Sequence, residues 1–409
     1  MLPPSVSRRS IRVLAPLAIV ACGGAPSVKQ STGLPYDSLF TEALAPGVVH
    51  RRLVANSGPF TIHIVEANIR RRDLTIGSAH AFDSLRGRAL TSAIAARQAA
   101  SGVAVVAAIN ADFFDLKTGE NENNQVVNGE VLKAVPITDS PFDSRHTVHS
   151  QFAVTCDGHP LIERFTFAGA VLTPPPALAV LPLDAVNFRP HGDAMVLYTS
   201  AYGTTPADSL ARLTIELPLH IASRAGDTLV LQSVGAARAG GGLTIPVGQV
   251  VLSGAGATAE LVRRVAGSVS SSNPLRVVTA FQPKRGRICT LVGGWPRLVV
   301  DGRSIADSVD LLEGTFPRFS VTRHPRTSVG FSRDSATIYF ITVDGRSESS
   351  SGMSLGELAS LMQSLGVAQG LNLDGGGSTT LVIRGHVVNH PSDSAGERTV
   401  GNALLLLKR

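Results

Sequence analysis

The sequence is poor in aromatic residues and in lysine. Aromatic residues make up 5% of the 409 residues, and only five of the 37 basic residues are lysines. A platform for single-stranded nucleic acid needs aromatic side chains interleaved with basic ones, so we expect no nucleic-acid partner. The formal charge of +6 comes mainly from arginine, a skew that codon bias also produces. It leaves phosphate-bearing glycans open as partners.

Cysteine is scarce as well. The chain has Cys22, Cys156 and Cys289, and their spacing matches no zinc-binding pattern. Cys156 and Cys289 could form one disulfide in an oxidising compartment, or both could stay reduced. The sequence therefore predicts no zinc site and no cofactor.

The chain also lacks an apolar run long enough to cross a bilayer. A short apolar run at residues 13–21 follows three arginines and leads into Cys22, a pattern that resembles a bacterial lipobox. We predict a signal peptide over residues 1–22, export of the protein, and membrane attachment only through lipid on Cys22. The alternative is an ordinary secretory signal in which this cysteine is incidental.

The remaining sequence has the composition of a globular protein. Hydrophobic residues make up 44% of the chain, and its 40 glycines and 24 prolines indicate many turns. We predict a flexible spacer over residues 23–44 and a domain over residues 45–409. Residues 171–280 are either a β-rich inserted subdomain or part of one continuous sheet assembly. The expected fold is mixed α/β (α+β), with a large, mainly antiparallel sheet assembly and a few helices.

Two helices are predicted from local patterns. The first covers residues 91–100 and leads into an apolar strand at residues 103–109. The second begins after a capping-box pair, Ser354 and Glu357, and has apolar residues at helical spacing. Gly366 is suited to its C-terminus, and another strand follows.

The most informative stretch is residues 370–380, where a strand runs into polar residues, three glycines and three hydroxyl residues. Asn372 and Asp374 are two positions apart, so they share one face of a strand. Three glycines leave the backbone uncovered, which allows a ligand to approach closely. A tight turn needs fewer glycines, so this pattern favours a binding site over a simple turn.

The same arrangement occurs earlier, because Asn110 and Asp112 follow the first helix and its strand. If both strands lie in one sheet, the four polar side chains converge at its edge, where open α/β sheets commonly bind ligands. The alternative is that each Asn-x-Asp only caps a loop.

A basic segment supplies the third group of candidates. Arg326 can hold a phosphate through two parallel hydrogen bonds. His324 could act as an acid or base at neutral pH, although a histidine beside proline is more often structural. Asp344 and Gly345 are typical of a hairpin turn.

These segments resemble, in their order, those of the phosphodiester glycosidase family, and the resemblance covers roughly residues 45–409. The segments that carry it are residues 110–114, 125–130, 323–330, 344–346 and 372–379. The resemblance implies hydrolysis of a sugar-1-phosphate diester, with release of the free sugar and a phosphomonoester. Many relatives have glycine where this chain has Asp112, so that carboxylate is a variant feature.

The implied chemistry assigns a role to each candidate residue. Asp374 is the general base or nucleophile at the anomeric carbon, and Asp112 is the candidate second carboxylate. Arg326 and the backbone of the glycine loop stabilise the leaving phosphate. The predicted substrate-binding residues are Asn110, Asn372, Gly375, Gly376, Gly377, Ser378, Thr379 and His324.

Two alternatives stay open for this cluster. Its oxygen atoms could bind a hard cation such as Ca²⁺, although no specific motif supports a metal. The protein could also be a non-catalytic lipoprotein that binds envelope glycans or assists polysaccharide assembly. The positions of Asp374, Arg326 and Asn110 decide between these functions, because catalysis needs them in one pocket.

Overall fold

A computed structural model describes residues 36–82, 84–138, 140, 143–145, 147–189, 192–206 and 213–409. The predicted signal peptide and Cys22 lie outside these residues. Among the described residues, no helix has the length and apolarity needed to span a membrane.

The helices are short and few. They are α1 (Thr91–Ala100), α2 (Ala257–Ser268), α3 (Val309–Leu312), α4 (Pro317–Val321) and α5 (Leu355–Ser364), with 3₁₀ turns at Ala306–Ser308 and Gly376–Ser378. The two predicted helices are α1 and α5. In α5 the capping box is present, since the Glu357 N–H donates to Ser354 Oγ and the Ser354 N–H donates to Glu357 Oε2. Helix α2 was not predicted, because it begins without a side-chain cap inside a stretch that reads as strands and turns.

Most of the described chain is strand. The strands of the first half are β1 (Ser38–Ala45), β2 (Val48–Ala55), β3 (Phe60–Asn68), β4 (Leu74–His80), β5 (Ala89–Leu90), β6 (Ala104–Asn110), β7 (Gln125–Val127), β8 (Glu130–Lys133), β9 (Gln151–Thr155), β10 (Pro160–Glu163), β11 (Thr166–Leu172), β12 (Val180–Leu183), β13 (Ala185–Val186) and β14 (Ala194–Thr199). Those of the second half are β15 (Thr214–Ala225), β16 (Thr228–Ser233), β17 (Arg238–Ala239), β18 (Gln249–Ala255), β19 (Leu275–Gln282), β20 (Ile288–Gly293), β21 (Arg297–Val300), β22 (Arg303–Ser304), β23 (Arg326–Ser332), β24 (Thr337–Val343), β25 (Val367–Asn372), β26 (Leu381–Ile383), β27 (His386–Val387), β28 (Thr399–Val400) and β29 (Asn402–Lys408).

These strands form four main sheets. One has eight strands in the order β1-β2-β3-β24-β23-β25-β21-β22, and two have five, β10-β9-β20-β7-β8 and β27-β26-β6-β29-β4. The fourth has the path β12-β11-β19-β16-β15-β18-β14-β13, with β17 beside β15. The pairings are antiparallel except for β13 with β14, so the expectation of a mainly antiparallel assembly with a few helices is confirmed.

Apolar side chains between the layers hold the sheets together. One core lies between the eight-stranded sheet and the β6 sheet and includes Phe340, Leu371 and Leu404, all at most 1% exposed. A second core packs α5 against the eight-stranded sheet. The site described below lies where strands of these two sheets end.

The predicted spacer ends earlier than expected, because β1 pairs with β2 from Ser38 onwards. Most β1 side chains are exposed, including those of Leu39 and Phe40, so this edge strand adds little to the core.

The sheet that contains β11 to β19 comes entirely from residues 166–282. Its apolar side chains share one core with β7, β9 and β20. That residues 171–280 form a separate subdomain stays a prediction.

Cys156 and Cys289 form a disulfide, with the two Sγ atoms 1.99 Å apart. This bond joins the turn after β9 to β20.

Candidate active site

The two Asn-x-Asp segments meet, although not in the way the sequence predicted. Strands β6 and β25 belong to different sheets, so the expectation of one common sheet is wrong. Their ends are nevertheless joined directly: the Asp374 N–H donates to the Ala111 carbonyl at 2.9 Å, and Asn110 Nδ2 donates to the Asp374 carbonyl at 2.6 Å. The two sheets thus converge at Asp374.

Asn110 and Asn372 hold this junction together from within the protein. Both are about 1% exposed. Asn110 Oδ1 accepts hydrogen bonds from Thr327 Oγ1 at 2.8 Å and from the Thr380 N–H at 3.1 Å. Asn372 Nδ2 donates to the Trp295 carbonyl at 2.7 Å. These side chains fix the strand ends, whereas the sequence predicted that they bind substrate directly.

A cavity of about 210 Å³ opens above the junction. Its lining residues are Phe113, Phe319, His324, Arg326, Arg346, Asp374, Gly375, Gly376, Gly377 and Arg398. Six of the eleven predicted site residues are therefore in the pocket wall. Asn110, Asp112, Asn372, Ser378 and Thr379 lie behind it, each at most 2% exposed.

Arg326 is a buried cation at the side of this pocket, with 2% of its surface exposed. Its Nε donates to the Met353 carbonyl at 2.8 Å, and its Nη2 donates to the Thr322 carbonyl at 2.9 Å. Within the described part of the chain it forms no ion pair with a carboxylate. Burial, followed by the charge of Arg346, lowers the pKa of Arg326 to about 10, so it remains charged at neutral pH. A buried charge without a counterion favours binding of an anion.

Asp374 is the partly exposed carboxylate of the pocket. Burial raises the pKa of Asp374 to about 6, and the nearby Asp112 charge acts in the same direction. The Ser378 hydroxyl, the Arg398 charge and the Gly375 N–H oppose this shift. Ser378 Oγ is buried and forms no hydrogen bond to the residues that the structure describes, so it acts on Asp374 through the dipole of its hydroxyl group. Asp374 is therefore ionised at pH 7 but is a stronger base than an ordinary aspartate.

His324 and Arg346 complete the basic side of the pocket. Burial, together with the charges of Arg326 and Arg346, lowers the pKa of His324, so its ring is neutral at pH 7. Arg346 is exposed and has a left-handed backbone, with φ of 61°. From the sequence, residues 344–346 were interpreted mainly as a hairpin turn. In the structure they place Arg346 at the mouth of the pocket.

The glycines after Asp374 allow this close arrangement. A Cβ atom at Gly375 would lie 2.7 Å from the Pro325 carbonyl oxygen, and one at Gly376 would lie 2.9 Å from Arg346 Nη2. At Gly377 it would lie 2.1 Å from Arg398 Nη2. Any side chain would therefore displace either the backbone or an arginine of the pocket.

A cluster of carboxyl groups lies behind Phe113. Both oxygens of Asp112 accept hydrogen bonds from the Asn121 and Asn123 side chains and the Asn123 N–H, at 2.7 to 3.2 Å. Burial raises the pKa of Asp112 to about 6 against these bonds. The assignment of Asp112 as a second catalytic carboxylate stays a prediction, because it does not line the pocket.

Glu122 is the residue of this cluster that the sequence analysis missed. Burial raises the pKa of Glu122 to about 8, and the charges of Asp112 and Asp374 contribute to the shift. Its Oε2 is buried and has no hydrogen-bond partner among the described residues. Its N–H donates to the carbonyl of Phe113, a pocket residue, at 2.9 Å. The only sequence signal is its position in the polar run at residues 121–124.

The arrangement of metal-ligating side chains is the next feature of the site. Among the described residues, no group of three or more carboxylate, imidazole or thiol side chains is arranged to hold one. The guanidinium groups of the pocket instead suit an anion, and Asp374 lines the same pocket.

Comparisons with known proteins match the second half of the chain to one family. Residues 227–407 match the model of a family described as phosphodiester glycosidase. Mouse N-acetylglucosamine-1-phosphodiester alpha-N-acetylglucosaminidase is 30% identical over 129 residues, which are 32% of this chain and 25% of the mouse protein. The chain therefore aligns with only a quarter of that relative.

Two solved structures share the fold. A hypothetical protein from Synechocystis has a TM-score of 0.66 and 19% identity, with 92% of this chain and 64% of that one covered. A protein from Burkholderia pseudomallei, described as a putative exported protein, has a TM-score of 0.62 and 22% identity, with coverages of 85% and 74%.

Proposed function

We propose that this chain, whose residues 227–407 match the model of the phosphodiester glycosidase family, hydrolyses a sugar-1-phosphate diester at the bond between sugar and phosphate. Water adds across that bond, which gives the free sugar and a phosphomonoester. The observation that carries the proposal is the pairing, in one pocket, of a partly exposed carboxylate, Asp374, with a buried arginine, Arg326, that has no acidic partner among the described residues.

The geometry suggests how the charges would be used. The phosphate would lie against Arg326 and Arg346, whose positive charges stabilise the negative charge as the bond to the sugar breaks. Asp374 would then face the anomeric carbon, where it either removes a proton from water or attacks the carbon itself.

Glu122 keeps a proton next to the pocket in this proposal. Paired carboxyl groups with different pKa values commonly divide acid and base roles. Glu122 keeps its proton at neutral pH, whereas Asp374 loses its own. We assign Glu122 to hold a proton behind Phe113 and to limit the negative charge near the bound phosphate.

This division predicts the pH dependence of kcat/KM. The rate should rise as Asp374 ionises near pH 6 and fall as Glu122 ionises near pH 8. The variant Glu122→Gln should lose the alkaline decline and keep the acidic one. An unchanged alkaline limb in the variant would remove Glu122 from the mechanism.

Substitutions in the pocket test the reaction itself. On a panel of sugar-1-phosphate diesters, Arg326→Met should lower kcat/KM by about 10² to 10³, the usual loss for one oxyanion donor. The matched control is Arg276→Met, an exposed arginine on β19 away from the pocket. If Asp374→Asn binds these diesters as the parent does and neither protein turns them over, the site is a glycan-binding site and not an enzyme.

The proposed setting is the cell envelope or the exterior. The N-terminal pattern up to Cys22 supports export, as does a disulfide typical of oxidising compartments. Substrates would then be phosphate-bearing envelope or extracellular glycans. Labelling cells with radioactive palmitate tests the anchor: the parent should become labelled and Cys22→Ala should not, whereas equal labelling would exclude lipid on Cys22.

A further inference from the structure

A second and larger cleft lies away from Asp374, with a volume of about 580 Å³. It is bounded by the turn between β3 and β4, the turn between β9 and β10, and the turn between β23 and β24. Arg326 begins β23, and Ser335 in this cleft follows its end. A seven-residue strand spans roughly 23 Å, so the cleft and the active-site pocket are at opposite ends of the same hairpin.

Arginines dominate the charge of this cleft. Three consecutive ones, Arg70, Arg71 and Arg72, come from the β3–β4 turn, and Arg409 adds a fourth. The facing acids in its wall are Asp157 and Asp334. We call this surface the arginine cleft.

Only part of this positive charge is neutralised. Arg70 pairs with Asp334 at 3.1 Å, and Arg71 pairs with Asp73 at 3.0 Å. Both pairs are largely exposed, and such pairs contribute little stability, so an incoming anion can replace the carboxylates at low cost. Arg72 is exposed and forms no ion pair with any residue that the structure describes.

The opposite wall is held rigid. The Cys156–Cys289 disulfide ties the β9–β10 turn to β20, and the Cys156 N–H donates to the Arg287 carbonyl at 2.8 Å. His159 lies on the same turn and also lines the cleft. A wall fixed in this way loses little conformational freedom when a ligand binds.

We propose that the arginine cleft is a second binding site, for the phosphate groups of an anionic polymer such as a phosphodiester-linked glycan. Guanidinium groups bind phosphate oxygens through paired, charge-assisted hydrogen bonds. A run of three arginines along an open cleft suits successive phosphates of a chain better than one free phosphate. The cleft holds the polymer independently of hydrolysis, so this inference does not rest on the proposed function.

Titration calorimetry of the whole protein with linear polyphosphate at 50 and 200 mM salt tests this site. The double variant Arg71→Ser, Arg72→Ser should weaken polyphosphate binding at least tenfold, equivalent to about 1.4 kcal/mol. A matched control removes two adjacent exposed arginines of α2, Arg263→Ser with Arg264→Ser, and should change the affinity less than twofold. Inorganic phosphate should bind the parent at least tenfold more weakly than polyphosphate does.

Three results would overturn the proposal. Equal weakening in both double variants would mean that binding depends only on net charge. Loss of binding only in Arg346→Gln would place the polymer in the active-site pocket. Inorganic phosphate that binds as tightly as polyphosphate would mean that the cleft takes single phosphates and no polymer. Matching melting temperatures for all variants would confirm that each is folded.

Discussion

Replacing Glu122 by glutamine should stabilise the protein at neutral pH. Burial and two neighbouring carboxylates raise the pKa of Glu122 from 4.5 to about 8. At pH 7 this side chain is protonated in the folded protein and ionised in the unfolded chain. At pH 7, folding therefore requires the carboxyl group to bind a proton that it lacks in the unfolded chain. This cost lowers the free energy of unfolding.

The size of the effect follows from the pKa shift. Each pKa unit is equivalent to about 1.4 kcal/mol, so the penalty at pH 7 is about 3 kcal/mol, and above pH 8 it reaches about 5 kcal/mol. A raised carboxyl pKa makes stability fall as the pH rises from 4.5 to about 8, with no penalty below that window. Glutamine keeps the shape without the charge but loses about 1 kcal/mol, because it weakens the hydrogen bond that Ser140 makes with the carboxyl group. The net gain at pH 7 should be about 2 kcal/mol.

Urea unfolding at pH 5, 7 and 9 measures this gain. The free energy of unfolding of Glu122→Gln should exceed that of the parent by an amount that grows from pH 5 to pH 9. Glu348→Gln, which changes an exposed glutamate, should show no such trend. A gain for Glu122→Gln that is the same at all three pH values would refute the assignment of a buried, protonated carboxyl group.

Two further predictions concern the glycine loop and the disulfide. Gly377→Ala should abolish turnover and destabilise the protein by about 1 to 3 kcal/mol, because the new methyl group overlaps Arg398. Gly267→Ala, near the end of α2 with open space around it, should leave activity unchanged, and activity assays with urea unfolding compare the two. Reduction of the Cys156–Cys289 bond, which closes a loop with a sequence separation of 133, should lower the free energy of unfolding by about 5 kcal/mol in the chain-entropy model. Unfolding with and without reductant measures that loss, and overlapping curves would contradict it.

Local signals in the sequence predicted the elements that carry the site. The capping box at Ser354 and Glu357 predicted α5, and the apolar run before Asn110 predicted β6. Both depend on interactions within a few residues, which a single sequence displays directly.

The parts that were missed depend on contacts distant in sequence. Asn110 and Asp374 are 264 positions apart in the sequence and make contact where two different sheets end. The repeated Asn-x-Asp motif suggested this contact, but it gave no information on which atoms meet. Glu122 owes its proton to burial beside Asp112, and no local pattern reports burial. The sequence offered Arg326 as a candidate, but its burial among backbone carbonyls depends on α4 and on the start of β23.

The most direct test of the proposed reaction is hydrolysis of sugar-1-phosphate diesters in ¹⁸O-labelled water, with the parent and Asp374→Asn compared side by side. The account predicts that the parent places the label in the released sugar and that the folded variant is inactive. Label in the phosphate, or an Asp374→Asn variant as active as the parent, would contradict cleavage of the glycosidic bond with Asp374 at its centre.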